Sequence, residues 1–133
     1  GVEPYNFVSS LNCVLAQRLA RTLCENCKTP VKIDANLLED SGLDPQKYKD
    51  FTFYEAKGCR ECNNTGYRGR TAIVELLDLT DEIREMIVNR HSSALLKKAA
   101  REAGTIFLRD AALEKLFEGK TTLQEINRVT FVE

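Results

Sequence analysis

Four cysteines stand in two close pairs, Cys24 with Cys27 in "CENC" and Cys59 with Cys62 in "CREC". A Cys-x-x-Cys step lets two thiolates from one tight turn reach the same ion, and two such turns complete a tetrahedron of sulfur around zinc. Asn63, Asn64 and Gly66 follow the second pair. Asn and Gly tolerate the left-handed backbone that a metal knuckle needs, and their N–H groups can point at sulfur. Two disulfides and a four-cysteine iron site are the competing readings. Zinc is preferred, because close pairs in an odd set of cysteines make a poor disulfide framework. A site closed by four thiolates has no open coordination position, so its metal holds structure and performs no catalysis. Cys13 lies outside both pairs and is expected to be a small buried core residue.

Little else in the chain could do chemistry. The one histidine, His91, falls between two expected helices and reads as a cap or surface residue. No Gly-x-x-x-x-Gly-Lys-Ser/Thr and no Gly-x-Gly-x-x-Gly occurs, so a phosphate cradle of either kind is missing. Acidic neighbours such as Glu39–Asp40 and Asp81–Glu82 read as solvated helix ends. The chain by itself reads as catalytically incomplete and is not expected to hydrolyse ATP.

The elements that must position the cysteines can be read from pattern. Residues 7–23 present Leu11, Val14, Leu15 and Leu19 at spacings of three and four, which predicts a helix leading into the first pair. Residues 28–58 lie between the pairs. There Asp34 and Gly42 bracket a short helix, Asp44–Pro45 open a helical turn, and "FTFYEA" reads as a strand. "RTAIVELLDL" predicts a buried strand. Beyond Asp81 the period changes, and four short amphipathic helices follow. Ser92 caps one, Gly104 and Gly119 act as stops, and Thr122 with Glu125 forms a capping box. They predict one compact helical bundle. The fold class is therefore α+β and mainly α.

The chain has 133 residues, 43% hydrophobic and 29% charged, with a net charge of −1. That suffices for one modest core or two small lobes. Near-neutral charge argues against nucleic acid, although Arg60, Arg68 and Arg70 cluster at the second pair. No apolar run reaches the ~18 residues of a membrane span. Reduced cysteine pairs imply the cytoplasm. The opening "GVEPYNFVSS" lacks an initiator Met and reads as a cut through a longer protein.

"AQRLARTLCENCK", "GCRECNNTGYRGRTAIVELLDLTDEIREMI" and "TTLQEINRVT", in that order, closely resemble the C-terminal end of bacterial type II secretion ATPases and the related type IV pilus assembly ATPases. The resemblance spans essentially the whole chain. It implies a hexameric motor with a RecA-like P-loop core whose nucleotide motifs precede this stretch. Residues 1–23 would be the last helix of that core and 70–79 a core strand. Residues 24–69 would be a tetracysteine zinc-binding insert, and 80–133 a C-terminal helical lobe. Cys24, Cys27, Cys59 and Cys62 match the family's metal ligands. Arg70 looks like an arginine that lies near bound nucleotide, where its planar cation can stack on a base or pair with phosphate. The implied cofactors are structural zinc, with ATP and magnesium in the whole protein only. The implied partners are other ring subunits and the inner-membrane platform with its secretion or pilus proteins. The implied location is cytoplasmic, peripheral to the inner membrane, with the insert as a rigid docking knob. A free-standing zinc-ribbon module that binds protein or nucleic acid is the alternative.

Overall fold

A computed structural model describes residues 1–132. In chain order the elements are α1 (Pro4–Ser10), β1 (Cys13–Leu23), β2 (Thr29–Val31), α2 (Ala35–Asp40), β3 (Phe53–Glu55), a 3-10 turn (Arg60–Cys62), β4 (Tyr67–Asp78), α3 (Asp81–Val88), α4 (Ser93–Glu102), α5 (Leu108–Phe117) and α6 (Leu123–Val129). Strands β1 and β4 pair with each other, and β2 pairs with β3. The β2–β3 ladder is antiparallel, with Thr29 opposite Glu55 and Val31 opposite Phe53.

The helix expected over residues 7–23 is the main local correction. Pro4 starts a helix three residues earlier, and that helix stops at Ser10. The hydroxyls of Ser9 and Ser10 both donate to the carbonyl of Asn6, which diverts the backbone from further helix. From Cys13 on the chain is strand. Its pairing partner lies more than forty positions away, and non-local pairing of this kind overrides a helical apolar period. Cys13 is exposed rather than buried, since it opens that strand and does not sit on a packed helix face. The stretch expected as a buried strand, β4, is buried only at Ile73, while Val74 and Leu76 are exposed. A two-stranded ribbon has cover on one face alone.

Two compact units divide the chain, residues 1–17 with 74–107 and residues 18–73 with 108–133. In the first, α3 and α4 close over Leu79, Ile83, Ala99, Ala100 and Phe107. Their caps are local and strong: the Thr80 hydroxyl accepts from the Ile83 N–H and the Ser92 hydroxyl from the Leu95 N–H. Arg84 ties α3 to the carbonyls of Leu79 and Val8.

In the second unit, the core gathers Ala20, Leu38, Leu43, Phe53, Ile73, Ala112, Leu116, Leu123 and Ile126. Tyr48, Phe51 and Phe117 pack against it, and the rings of Tyr48 and Phe117 stack at 5.1 Å. The segment between the cysteine pairs is thus built into this core. Leu38, Leu43 and Phe53 pack with α5 and α6, so it is no detachable loop. The four helices after residue 80 all form, but α3–α4 and α5–α6 serve different cores in place of a single bundle. Asp44–Pro45 open a single turn, as expected, with the N–H groups of Lys47 and Tyr48 both donating to the Asp44 carbonyl. Within this unit Arg109 is buried and donates to the Ser41 carbonyl at 2.7 Å and the Thr130 hydroxyl at 3.2 Å. These are the C-cap residues of α2 and α6, where a cation meets the negative ends of two helix dipoles.

Candidate metal centre

The four cysteines come from two turns. In the first, the N–H groups of Cys27 and Lys28 both donate to the Cys24 carbonyl, curling the chain so that both sulfurs face one way. In the second, Cys59 and Cys62 bracket the 3-10 turn in a reciprocal cap, each sulfur accepting the other's backbone N–H. Asn63 and Asn64 then take positive φ values of 54° and 62°, the conformation expected from their type.

Together the sulfurs lie within 4.8 Å of one another. Three contacts are tighter: Cys24–Cys59 at 3.8 Å, Cys27–Cys62 at 3.8 Å and Cys59–Cys62 at 3.7 Å. A tetrahedron with zinc–sulfur bonds of about 2.3 Å has edges of about 3.8 Å. The donor set, the number of ligands and the edge lengths all fit zinc. Two ligands, Cys24 and Cys62, are buried and the other two are half-buried, as suits a closed structural site.

Around the sulfurs stand N–H donors that favour the thiolate. The Asn26 amide donates to Cys59 Sγ at 3.3 Å, and the Gly66 N–H donates to Cys62 Sγ at 3.1 Å. The Asn26 contact is the leading cause of a lowered Cys59 pKa. Burial pushes the Cys62 thiol up, but the N–H groups of Cys59 and Gly66 and the adjacent thiols bring it down to about 6. Cys27 is pushed up to about 12, first by burial and then by neighbouring thiols, against one N–H from Gly58. The Gly66 N–H on Cys62 is the contact expected from the residues after the second pair. Asn26 was not singled out in the sequence as a ligand support, and its position inside the first pair is the local hint.

Gly66 joins the two knuckles. Its carbonyl accepts from the Cys24 N–H at 3.0 Å while its own N–H reaches Cys62. Its φ is +81°, and a Cβ there would lie 2.4 Å from the Ala56 Cβ. Gly66→Ala is therefore expected to destabilise the unit by about 3 kcal/mol, from left-handed strain and overpacking together. It should also speed the loss of zinc to a chelator. Thermal unfolding beside a timed chelator assay would show this, and a Gly66→Ala chain matching the parent in both would refute it.

Arg70 lies elsewhere in the same unit. It lines a cleft of about 640 Å³ with Leu19, Arg21, Thr65, Tyr67, Gly69 and Arg128. Behind these arginines is Glu125, whose side chain is only 1% exposed. Glu125 Oε2 accepts from Arg21 Nη2 at 2.8 Å and Oε1 from Arg128 Nη2 at 2.6 Å. The Arg21 backbone N–H also donates to Oε1 at 3.0 Å. Half of the expected capping box forms: the Thr122 hydroxyl accepts from the Glu125 N–H at 3.1 Å. The Glu125 carboxylate turns instead to strand β1. Burial raises its pKa, but the hydrogen bonds from Arg128 and Arg21 outweigh this and hold it at about 2.

Comparison with known proteins places the sequence in a family. Residues 1–128 match the family described as Type II/IV secretion system protein. The chain is 46% identical over 127 residues to a type IV pilus assembly ATPase, PilB, of Myxococcus xanthus, covering 95% of this chain and 22% of that protein. It is 44% identical over 126 residues to PilB of Thermus thermophilus, covering 95% of this chain and 14% of that protein. It is 43% identical over 130 residues to the type II secretion system ATPase E of Vibrio cholerae, covering 98% of this chain and 25% of that protein. The chain thus spans a quarter or less of the length of these relatives. Among the described residues no helix is long and apolar enough to cross a membrane. With the four-cysteine cluster and nearly end-to-end similarity, the chain belongs to the type II/IV secretion system protein family.

Proposed function

We propose that this chain is the metal-binding C-terminal part of a motor ATPase that drives protein secretion or pilus assembly. The observation that carries the reading is its identity to pilus and secretion ATPases over 95% or more of its length. In that role the four cysteines hold structural zinc. The ion supplies no chemistry beyond cross-linking residues 24–27 to residues 59–62. Nucleotide turnover then belongs to the rest of the parent protein, with ATP and magnesium bound there, and Arg70 faces the nucleotide. The paired strands β1 and β4 belong to the RecA-like core. Their exposed Val14, Leu15, Leu19, Val74 and Leu76 support this, because such side chains call for apolar cover. The parent acts as a hexameric ring in the cytoplasm, against the inner membrane. The unit clamped by zinc is a rigid surface that docks on the membrane platform.

The test is Cys59→Ser with Cys62→Ser in the full-length parent. ATP hydrolysis should persist, while recovery with the inner-membrane platform and assembly of pili or secretion should be lost. Normal assembly by that variant would sink the docking role. Failure of the parent to release phosphate from ATP would sink the motor reading.

A further inference from the structure

The cleft beside Arg70 carries more charge than its own carboxylate neutralises. Three guanidiniums, those of Arg21, Arg70 and Arg128, line it. Glu125 is the acid that two of them share. Among the described residues, two positive charges are left over. Arg21 uses Nε and Nη2 on Glu125, and Arg128 does the same. Each therefore keeps its Nη1 donors for another acceptor. The side chains of Arg21 and Arg128 are about half exposed, at 48% and 59%, so the free donors reach solvent. Gly69 has φ +83°, and a Cβ there would meet nothing within 4 Å, so the cleft mouth stays open beside Arg70.

Fixed geometry supports the arginines from below. The Arg21 guanidinium lies 4.1 Å from the Tyr67 ring centroid. The Tyr67 hydroxyl is held by the Thr122 hydroxyl at 2.8 Å, and the Thr121 hydroxyl donates to the Arg21 carbonyl at 2.8 Å. Arg21 is thus fixed at its backbone, at its ring face and at one edge of its fork. A volume of about 640 Å³ is within the roughly 300–1,000 Å³ of small-molecule sites.

We propose that this cleft binds a phosphate group, held jointly by Arg21, Arg70 and Arg128 over the buried Glu125. The charge left over matches a phosphate monoester, which carries about −1.5 to −2 near neutral pH. A single carboxylate would leave one cation uncompensated. Guanidinium forks pair phosphate oxygens two at a time. Glu125 keeps the empty cleft from being an unrelieved cluster of like charges. The inference extends the reading of Arg70 to two further arginines and rests on it for Arg70.

The experiment is a titration of the zinc-loaded chain with inorganic phosphate, followed by amide and arginine Nε–H NMR shifts. Sodium chloride at matched ionic strength is the control. Saturable shifts at Gly69, Arg70 and Arg128, absent with chloride, are expected. Arg70→Gln and Arg128→Gln should each weaken binding about tenfold, as expected for losing a charge-assisted hydrogen bond of ~1.4 kcal/mol or more. Arg68→Gln, whose side chain pairs with Glu61 outside the cleft, should not. Arg128→Gln could loosen α6, so Arg70→Gln, with no ion pair to lose among the described residues, is the decisive variant. Displacement of phosphate by ADP at the same amides would support the site with a nucleotide as the source. Arginine-dependent sedimentation with phosphatidylglycerol vesicles would support it with a lipid headgroup. No saturable shift, or equal weakening by Arg68→Gln, overturns the proposal. Phosphate binding by the chain with normal assembly by the Cys59→Ser, Cys62→Ser parent would sink the docking role alone. Absent phosphate binding with assembly lost in that double variant would sink the cleft alone.

Discussion

Cys62→Ser should lower the melting temperature of the zinc-loaded chain by about 20 °C and remove its metal. Cys62 is buried, and it touches two other ligand sulfurs at 3.7–3.8 Å. Serine keeps the shape and loses the thiolate, leaving three ligands and a position that water can enter. Structural zinc in small modules supplies of order 10 kcal/mol. This unit also has its own apolar core, so the loss is set by how far the metal exceeds its dissociation constant. A thousandfold excess gives about 4 kcal/mol, and each kcal/mol moves the midpoint of a domain this size by roughly 4–8 °C. A strong chelator should produce the same fall in the parent and none in the variant. Elemental analysis should find zinc in the parent and in Cys13→Ser, because Cys13 is exposed and outside the cluster. A Cys62→Ser chain that keeps both its zinc and its melting temperature would mean that the four sulfurs do not form a metal site.

Glu125→Gln should cost about 3 kcal/mol at neutral pH, and the cost should vanish in acid. The Glu125 pKa falls from 4.5 to about 2 on folding. A carboxyl with a depressed folded pKa stabilises fully above its unfolded value, and that contribution fades as pH falls through the folded one. The window here is therefore about pH 4.5 down to 2, and 2.5 units correspond to about 3 kcal/mol. Screening at the half-exposed arginines lowers this figure somewhat. Glutamine can still accept the Arg21 N–H but cannot neutralise two guanidiniums. Stability against pH, measured by urea unfolding from pH 7 to 2, should show the wild type falling toward the variant across that window. Parallel curves would mean that the carboxylate charge contributes nothing.

What could be read from the sequence was local. The cluster of four cysteines was legible because Cys-x-x-Cys is a short-range device. So were the caps at Asp34, Ser92 and Thr122, since each hydroxyl or carboxylate reaches an N–H two or three residues on. What failed was decided across long separations. Strand β1 pairs with β4, and no pattern inside residues 13–23 announces that partner. The amphipathic stripes of α3 and α4 show that each buries a face, but not that α3–α4 and α5–α6 serve two cores. Glu125 was visible as a capping-box residue, yet its carboxylate answers to Arg21, 104 positions earlier. The burial of Arg109 had no local sign, because Ser41 and Thr130 come from distant turns.

The long reach of α6 bears on how the chain folds as it is synthesised. The N–H of Leu23 waits for the carbonyl of Lys120, and Arg21 waits for Glu125. All four cysteines leave the ribosome well before either partner does. A nascent chain can therefore capture its metal while half of its core is still untranslated. Contacts this distant in sequence form late. Through that interval a metal held by the four sulfurs would tie the end of strand β1 to the start of β4, ready for the last helix to close over them.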